Sequence, residues 1–289
     1  MSADTNTWFI TGSSRGFGHS LALAALEAGD NVVATARKPE QLADLAERYG
    51  ERVLPVALDV TDPAAAESAL AAGVQRYGRI DVVVNNAGYA NVSPIETTDE
   101  DDFRRQFETN FFGVYHVSKA ALPVLKNQGG GTVVQFSSVG GRVGGAAGLG
   151  SYQAAKFAVD GFTRVLAAET TAFGIRYLVV EPGGFATDWA RASMQVDTVP
   201  DDYRDTVGAM GDLLRGDSVS PGDPDRAAQI LVRVIHSGHL PSHLLLGAAA
   251  AEMALNYSQG QIAEATAWQA VSASADTGAA YPVDLPTTH

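Results

Sequence analysis

The chain contains no cysteine, which excludes a disulfide framework, a thiolate nucleophile and a zinc–thiolate centre. Basic side chains are scarce: 20 lysines and arginines stand against 33 acids, a formal net charge of −13. That charge repels phosphate backbones and anionic lipid surfaces, so neither nucleic acid nor a membrane is expected as a partner. No uninterrupted apolar run approaches the roughly 18 residues of a membrane span. The opening, MSADTNTWFITG, has neither the basic region nor the apolar stretch of a secretion signal, and the expected location is the cytoplasm. Internal repeats and strongly polar tracts are missing too. Apolar residues make up 46% and charged residues 18% of 289 residues, a length that doubly wound α/β folds commonly occupy as one unit. A single domain over residues 1–289 is expected, and no metal.

What is present is a rhythm. Short apolar runs at residues 8–10, 32–35, 53–58, 81–84, 132–136, 175–180 and 243–246 alternate with helical patterns near 17–28, 39–49, 63–77, 99–126, 151–173 and 225–237. The runs are continuously apolar, as strands covered on both faces require. The fold class that follows is α/β, a doubly wound (Rossmann) seven-stranded parallel sheet flanked by helices. Asp62-Pro63 and Asp223-Pro224 supply helix starts, a capping carboxylate before a proline at the first helical position. Two segments depart from the rhythm. Gly140 to Gly150, GGRVGGAAGLG, predicts a pliable loop, and residues 188–224, rich in Asp, Gly and Pro, predict an extended lid. Residues 248–289 remain as a C-terminal extension.

Directly after the first run comes TGSSRGFG, with Gly12, Gly16 and Gly18 at the turn into the first helix. Glycines let backbone approach a pyrophosphate, and the N–H groups and dipole of the opening helix stabilise its charge. A plain tight turn is the structural alternative. At the end of the second run an acid would accept from a ribose 2′-hydroxyl and repel a 2′-phosphate. Ala36-Arg37-Lys38 stands there instead, and Arg15 offers a second guanidinium inside the glycine turn. NADP is favoured over NAD; Lys38 reads as a solvated surface residue.

Tyr152 and Lys156 lie four apart on one helical face. A neighbouring ammonium stabilises a phenolate, so Lys156 is expected to lower the pKa of Tyr152 from ~10 and let it exchange a proton near neutral pH. Upstream, FSSVGG puts Ser137 and Ser138 at the carboxyl edge of the sheet, where a hydroxyl can polarise a substrate oxygen.

TGSSRGFG, Asp59-Val60, the NNAG of residues 85–88, Asn110, Ser138, Tyr152-Gln153-Ala154-Ala155-Lys156 and Pro182-Gly183 occur in the order found in short-chain dehydrogenases/reductases. The chain resembles that family from residue 7 to about 190. The resemblance implies Tyr152 as general acid in reduction and general base in oxidation, and Ser138 as binder of the substrate oxygen. It further implies that Lys156 holds the nicotinamide ribose and that Asn110 keeps a water in the proton relay. Gly12, Ser14, Arg15, Gly16, Phe17 and Gly18 would bind the cofactor, the glycine turn against its pyrophosphate. Asp59 would accept from the adenine amino group, with Val60 against the ring. Asn86, Ala87 and Gly88 would pass the adenosine ribose, while Pro182, Gly183, Phe185 and Thr187 would cover the nicotinamide. Ser138 and Tyr152 stand 14 apart, one more than the family usually has; the glycine-rich loop is expected to absorb the extra residue, and Ser137 is the fallback for Ser138.

The expected function is therefore an NADP(H)-dependent oxidoreductase moving a hydride between nicotinamide and a ketone, aldehyde or secondary alcohol. A non-catalytic NADP-binding sensor or scaffold is the alternative; it predicts loss of the tyrosine or lysine. A cofactor-independent lyase on the same fold predicts a degraded glycine turn. Residues 90–95, the 140–150 loop and the segment after Thr187, with Trp189, Met194, Tyr203 and Met210, are expected to form an apolar substrate pocket. The resemblance implies a homodimer or homotetramer, through the helices near 99–126 and 151–173.

Overall fold

Consecutive apolar residues leave a strand no face to offer to water, and here both faces are used. The first strand, β1 (Thr7–Ile10), is buried throughout; Trp8 and Ile10 enter one hydrophobic layer and Phe9 the other. The computed structural model describes residues 5–185, 194–215 and 222–286. Within them β1 is joined by β2 (Asn31–Ala36), β3 (Val53–Ala57), β4 (Val82–Asn85), β6 (Gly131–Phe136), β7 (Ile175–Pro182) and β9 (His243–Leu246). Their order is β3-β2-β1-β4-β6-β7-β9, parallel at every pairing. All seven expected strands are in this sheet. A separate parallel pair, β5 (Ala90–Val92) with β8 (Met194–Val196), was not expected.

Helices α1 (Gly16–Glu27) and α9 (Pro224–Ser237) cover one face through Leu21, Leu26, Leu231 and Ile235. Helices α3 (Pro63–Tyr77) and α5 (Gly113–Asn127) cover the other through Leu70, Val117 and Leu125. Burying each such side chain stabilises the fold by about 1.5–3 kcal/mol. The two Asp-Pro starts behave as expected: Asp62 accepts from the N–H groups of Ala64 and Ala65, and Asp223 from those of Asp225 and Arg226. Helix α2 (Ala43–Tyr49) links β2 to β3. The long helix expected at 99–126 runs from α4 (Glu100–Phe107) into α5, but a wide π turn, Glu108–Phe112, interrupts it at Asn110.

One expectation needs correction. Gly140 to Gly150 is not loop throughout: Gly140–Val143 forms a helical turn, α6, before α7 (Gly150–Glu169). It is held because the N–H of Val139 donates to the carbonyl of Pro182 at 3.0 Å and Gly141 presses against Ser137 and Lys156. The described part of the segment expected as a lid carries β8 and α8 (Ala209–Arg215). The C-terminal extension holds a twenty-residue helix, α10 (Ala248–Ala267), of which only Ala250 and Ala254 are buried, and a short α11 (Gln269–Ala273). Among the described residues no helix is long and apolar enough to cross a membrane.

Behind the sheet, the buried Asp30 accepts from Trp8 Nε1 at 2.7 Å and from the N–H of Asn6 at 3.0 Å, and pairs with His236 Nε2 at 2.7 Å. It thus ties β1 to the end of α9. Asp30→Ala strands the buried indole N–H and should cost about 2–4 kcal/mol in urea unfolding, as a lost charged hydrogen-bond network does; a change under about 0.5 kcal/mol, typical of a surface site, would refute that role.

Candidate active site

The strand order reverses between β1 and β4: the chain leaves β1 towards β2 and β3 on one side and continues from β4 on the other. Connections leaving the carboxyl ends of these strands part there and open a crevice. Residues 11–18 and 86–88 stand at its edge. Gly12 has φ +69° and Gly16 φ +57°, a region that side chains disfavour. A Cβ on Gly18 would overlap the Gly12 carbonyl oxygen and lie 2.5 Å from Asn86 Nδ2. The turn is clipped to the end of β4: Asn86 Nδ2 donates to the carbonyl of Thr11 at 2.9 Å and of Gly12 at 3.3 Å. Thr11 Oγ1 in turn accepts from the N–H groups of Asn86 and Ala87 at 2.9 and 3.0 Å.

Arg15 stands at the N-cap of α1, yet its side chain makes no capping bond. The first N–H groups of that helix are thus left without a side-chain acceptor, the donor set an anion requires. Ser14 is half-buried beside it. The Phe17 ring packs on Phe136 and Phe185, with centroids 5.6 and 4.7 Å away, so this residue can meet a phosphate only through its backbone. Arg15 and Arg37 are exposed and, among the described residues, engaged in no ion pair. Asp59 Oδ1 accepts from the N–H and hydroxyl of Thr61 at 3.0 and 2.8 Å, fixing the turn after β3. Val60 is buried, in a groove that only a glycine at position 113 leaves open.

Ser138, Tyr152, Lys156 and Asn110 converge at the carboxyl edge of the sheet. Tyr152 is buried and hydrogen-bonded to Ser138, so residues fourteen apart in sequence meet, and Gly144, Gly145 and Gly148 between them take positive φ. The Ser138 hydroxyl also accepts from the N–H of Gly140 at 3.1 Å. Ser137 does not share this position: its Oγ donates to the carbonyl of Lys156 at 3.0 Å, facing α7. Lys156 Nζ donates to the carbonyl of Phe136 at 2.6 Å and lies 5.8 Å from the Tyr152 ring centroid. Asn110 Nδ2 donates to the carbonyl of Tyr89 at 2.8 Å and its Oδ1 accepts the N–H of the same residue at 3.0 Å. A Cβ on Gly88 would come within 2.6 Å of Asn110 Oδ1 and 3.7 Å of Lys156 Nζ, so the end of NNAG touches this centre as well.

The expected effect of Lys156 on Tyr152 is not what this geometry produces. Burial pushes the phenol up to about 12, with the Ser138 hydrogen bond opposing; burial brings the Lys156 ammonium down to about 8. Desolvation is the dominant cause at both groups, and the Lys156 ammonium donates to a backbone carbonyl, that of Phe136.

Pro182 accepts from Val139, and the N–H of Gly183 donates to the carbonyl of Leu246 at 3.0 Å. Phe185 packs between Phe17 and Gly222. Thr187 and Trp189 lie outside the described residues. Around Tyr152 an apolar cluster gathers Ala90 and Val92 of β5, Leu149, and Val207 from the lid segment, with Tyr203 and Leu214 packed on it. All three regions expected to form the substrate pocket thus meet at the tyrosine.

Sequence reading missed several polar side chains here. Thr11 sits inside the quoted motif and could have been assigned as its clip. Asn91 and Gln106 carried no signal: Gln106, wholly buried, is hydrogen-bonded to Asn91 and Asn110, and Asn91 accepts from Ser151 Oγ at 3.1 Å. Arg142 and Glu181 also went unnoticed.

The family model for the short chain dehydrogenase matches residues 6–197. The chain is 51% identical over 270 residues to Oxidoreductase BOA17 of Botryotinia fuckeliana, across 93% of this chain and 98% of that protein. A short-chain dehydrogenase from Streptomyces avermitilis superposes with a TM-score of 0.88 at 37% identity, covering 96% of this chain and 100% of the other. A short chain dehydrogenase from Burkholderia cenocepacia, solved in complex with NADP, gives a TM-score of 0.72 at 26% identity over 92% and 98% of the two chains. With its fold, its glycine turn and its Ser-Tyr-Lys centre in one register, the chain belongs to the short-chain dehydrogenase family of oxidoreductases.

Proposed function

We propose that this protein is an NADP(H)-dependent reductase of ketones or aldehydes, reversible towards secondary alcohols. The observation that carries the reading is the buried Tyr152 hydroxyl, hydrogen-bonded to Ser138 and surrounded by apolar side chains of β5 and the lid. The glycine turn with its uncapped helix start fits a pyrophosphate, and a bound nicotinamide would supply the hydride. Ser138 holds the substrate oxygen and aligns it with Tyr152, whose proton passes to the oxygen as negative charge develops there. Lys156 orients the ribose, and the Asn110 turn leads a water towards Lys156. A phenol at about 12 keeps its proton throughout the neutral range, which suits donation and hence reduction. NADP is supported over NAD by Arg15 and Arg37, which among the described residues form no ion pair, where an acid would repel a 2′-phosphate, and by the neighbour that binds NADP. The apolar cluster favours a moderately hydrophobic carbonyl compound. Exposed Phe112, Phe157 and Val165 on the π turn and α7 support assembly into a homodimer or homotetramer.

Nicotinamide absorbance recorded with NADPH and a panel of ketones and aldehydes tests the reading. Turnover is expected; cofactor binding without turnover of any member would leave the sensor reading, and no binding would overturn both. Tyr152→Phe should bind NADPH within about threefold of the parent while losing roughly 10²–10⁴-fold in kcat, the span of a missing general acid. Retention of a tenth of the activity would remove Tyr152 from the role.

Arg37→Asp should weaken NADPH binding by about 10–100-fold, as loss of a charged hydrogen bond does, and spare NADH. An unaltered preference would transfer the 2′-phosphate to Arg15.

The pH dependence carries a sign. Lys156, brought down to about 8, is protonated below that pH and neutral above it, whereas Tyr152 stays protonated to about 12. The rate of reduction should therefore hold below about pH 8 and fall above it, while alcohol oxidation should rise as pH climbs. A reduction rate that increases through pH 8–9 would contradict these assignments.

A further inference from the structure

Glu181 is a carboxylate with 1% of its side chain exposed, at the end of β7 immediately before Pro182. Among the described residues its only partner is Arg142 on α6, whose Nε donates to both carboxylate oxygens, at 3.1 and 2.9 Å. The chemistry described above uses neither residue.

Their places in the chain give the pair a meaning. Arg142 lies four residues after Ser138, on a turn that Ser138 itself organises by accepting from Gly140 and, through its carbonyl, from the N–H of Gly141 at 2.9 Å. Glu181 directly precedes the Pro182–Phe185 segment. The two flanks of the proposed reaction space, one carrying the Ser138 hydroxyl and one leading to the nicotinamide-facing segment, are also joined here, among the described residues, by the bond from the N–H of Val139 to the carbonyl of Pro182. An unpaired buried carboxylate is strongly disfavoured, so Glu181 keeps Arg142, and the α6 turn with it, at a fixed distance from β7. A displacement near 1 Å between reacting groups costs about 10²-fold in rate.

We propose that Arg142 and Glu181 are a positioning pair that sets the separation between the Ser138 turn and the nicotinamide-facing segment, and through it the hydride-transfer distance. This rests on the reductase reading of the same site.

A buried pair held for stability alone can be replaced by apolar residues of similar volume without loss. Arg142→Met and Glu181→Leu are therefore combined and compared with the parent protein, Glu181→Asp and Arg142→Lys. Four readouts are taken: thermal midpoint, NADPH affinity by fluorescence, kcat and its isotope effect with NADPH deuterated at the transferred position, and backbone hydrogen exchange. The carbonyl probe is the best-turned-over member of the panel above. The double variant should melt within a few degrees of the parent and bind NADPH within about threefold, yet lose ~10–100-fold in kcat with a larger isotope effect. Glu181→Asp, which keeps the charge and shortens the reach, should fold and lose kcat in the same way, and Arg142→Lys should recover part of it. Exchange should quicken in residues 138–143 and 182–185. A double variant with parental kcat, isotope effect and exchange overturns the proposal. If the double variant does not fold, Glu181→Asp decides alone: parental kcat and exchange overturn the positioning role, and reduced kcat at parental NADPH affinity supports it. A parent protein that turns over no carbonyl overturns the reductase reading instead. In that case exchange still decides whether the pair fixes the two segments.

Discussion

Every chemical feature of this molecule depends on one close approach, that of the turn after β1 to the end of β4. Gly18 lies so near the Gly12 carbonyl and the Asn86 amide that no side chain fits. The contact exists because β1 and β4 are adjacent strands whose following segments diverge, leaving the two turns to meet each other and not a helix. Asn86 and Thr11 convert that proximity into four hydrogen bonds, which satisfy backbone groups that would otherwise be stranded at the sheet edge. The same approach holds open the first turn of α1, and Gly88, two residues beyond Asn86, leads directly to Asn110 and Lys156. The glycine turn and the cluster of Asn110, Tyr152 and Lys156 are therefore parts of one local arrangement at the ends of two adjacent strands.

Burial shapes what that centre can do. Tyr152 and Lys156 are both removed from water, and each is pushed towards its neutral form, the phenol up and the ammonium down. A phenol that keeps its proton suits a site that must release it only as negative charge appears, while Lys156 still carries its charge below about pH 8. Keeping Lys156 buried costs stability, offset in part by its bond to the Phe136 carbonyl. The wide turn at Asn110 is a second local cost in the same place. Irregular helix geometry of this type concentrates at working sites, and here it orients a side chain against Tyr89, in the segment that leads to β5.

Much of this was legible in the amino-acid order, for identifiable reasons. The seven strands could be read because a two-sided burial requirement writes itself as unbroken apolar runs, and the helix starts because Asp-Pro combines a cap with a fixed φ. Ser138, Tyr152 and Lys156 could be read because each has a position relative to an element edge. The pair β5–β8 could not: three residues hold too little pattern, and their pairing depends on where the lid returns. Asn91, Gln106, Arg142 and Glu181 were illegible for a similar reason, since a polar side chain becomes informative only once its burial is known. The helix Ala248–Ala267 is a different case: its alanines, glutamates and leucine carry strong helical propensity, but without a buried stripe to give it a period it did not register.

The direction of the Lys156 effect shows where reasoning by type of residue stops. Four residues apart on a helix places two side chains on one face, and from that alone an ammonium is expected to acidify a phenol. Which interaction dominates depends on how far both groups are buried, the lysine donating a hydrogen bond to the Phe136 carbonyl and the tyrosine lying in the apolar cluster of β5, Leu149 and Val207. That cluster includes lid residues, so the dielectric around the acid is set by the same side chains that would meet a substrate. Substrate recognition and proton affinity are thus coupled through packing: a ligand that fills the cluster further excludes water and holds Tyr152 protonated, whereas a polar ligand that admits water relaxes it towards its ordinary range. On the proposed reductase reading, preference for an apolar carbonyl compound and competence as a proton donor would be two consequences of one desolvated tyrosine.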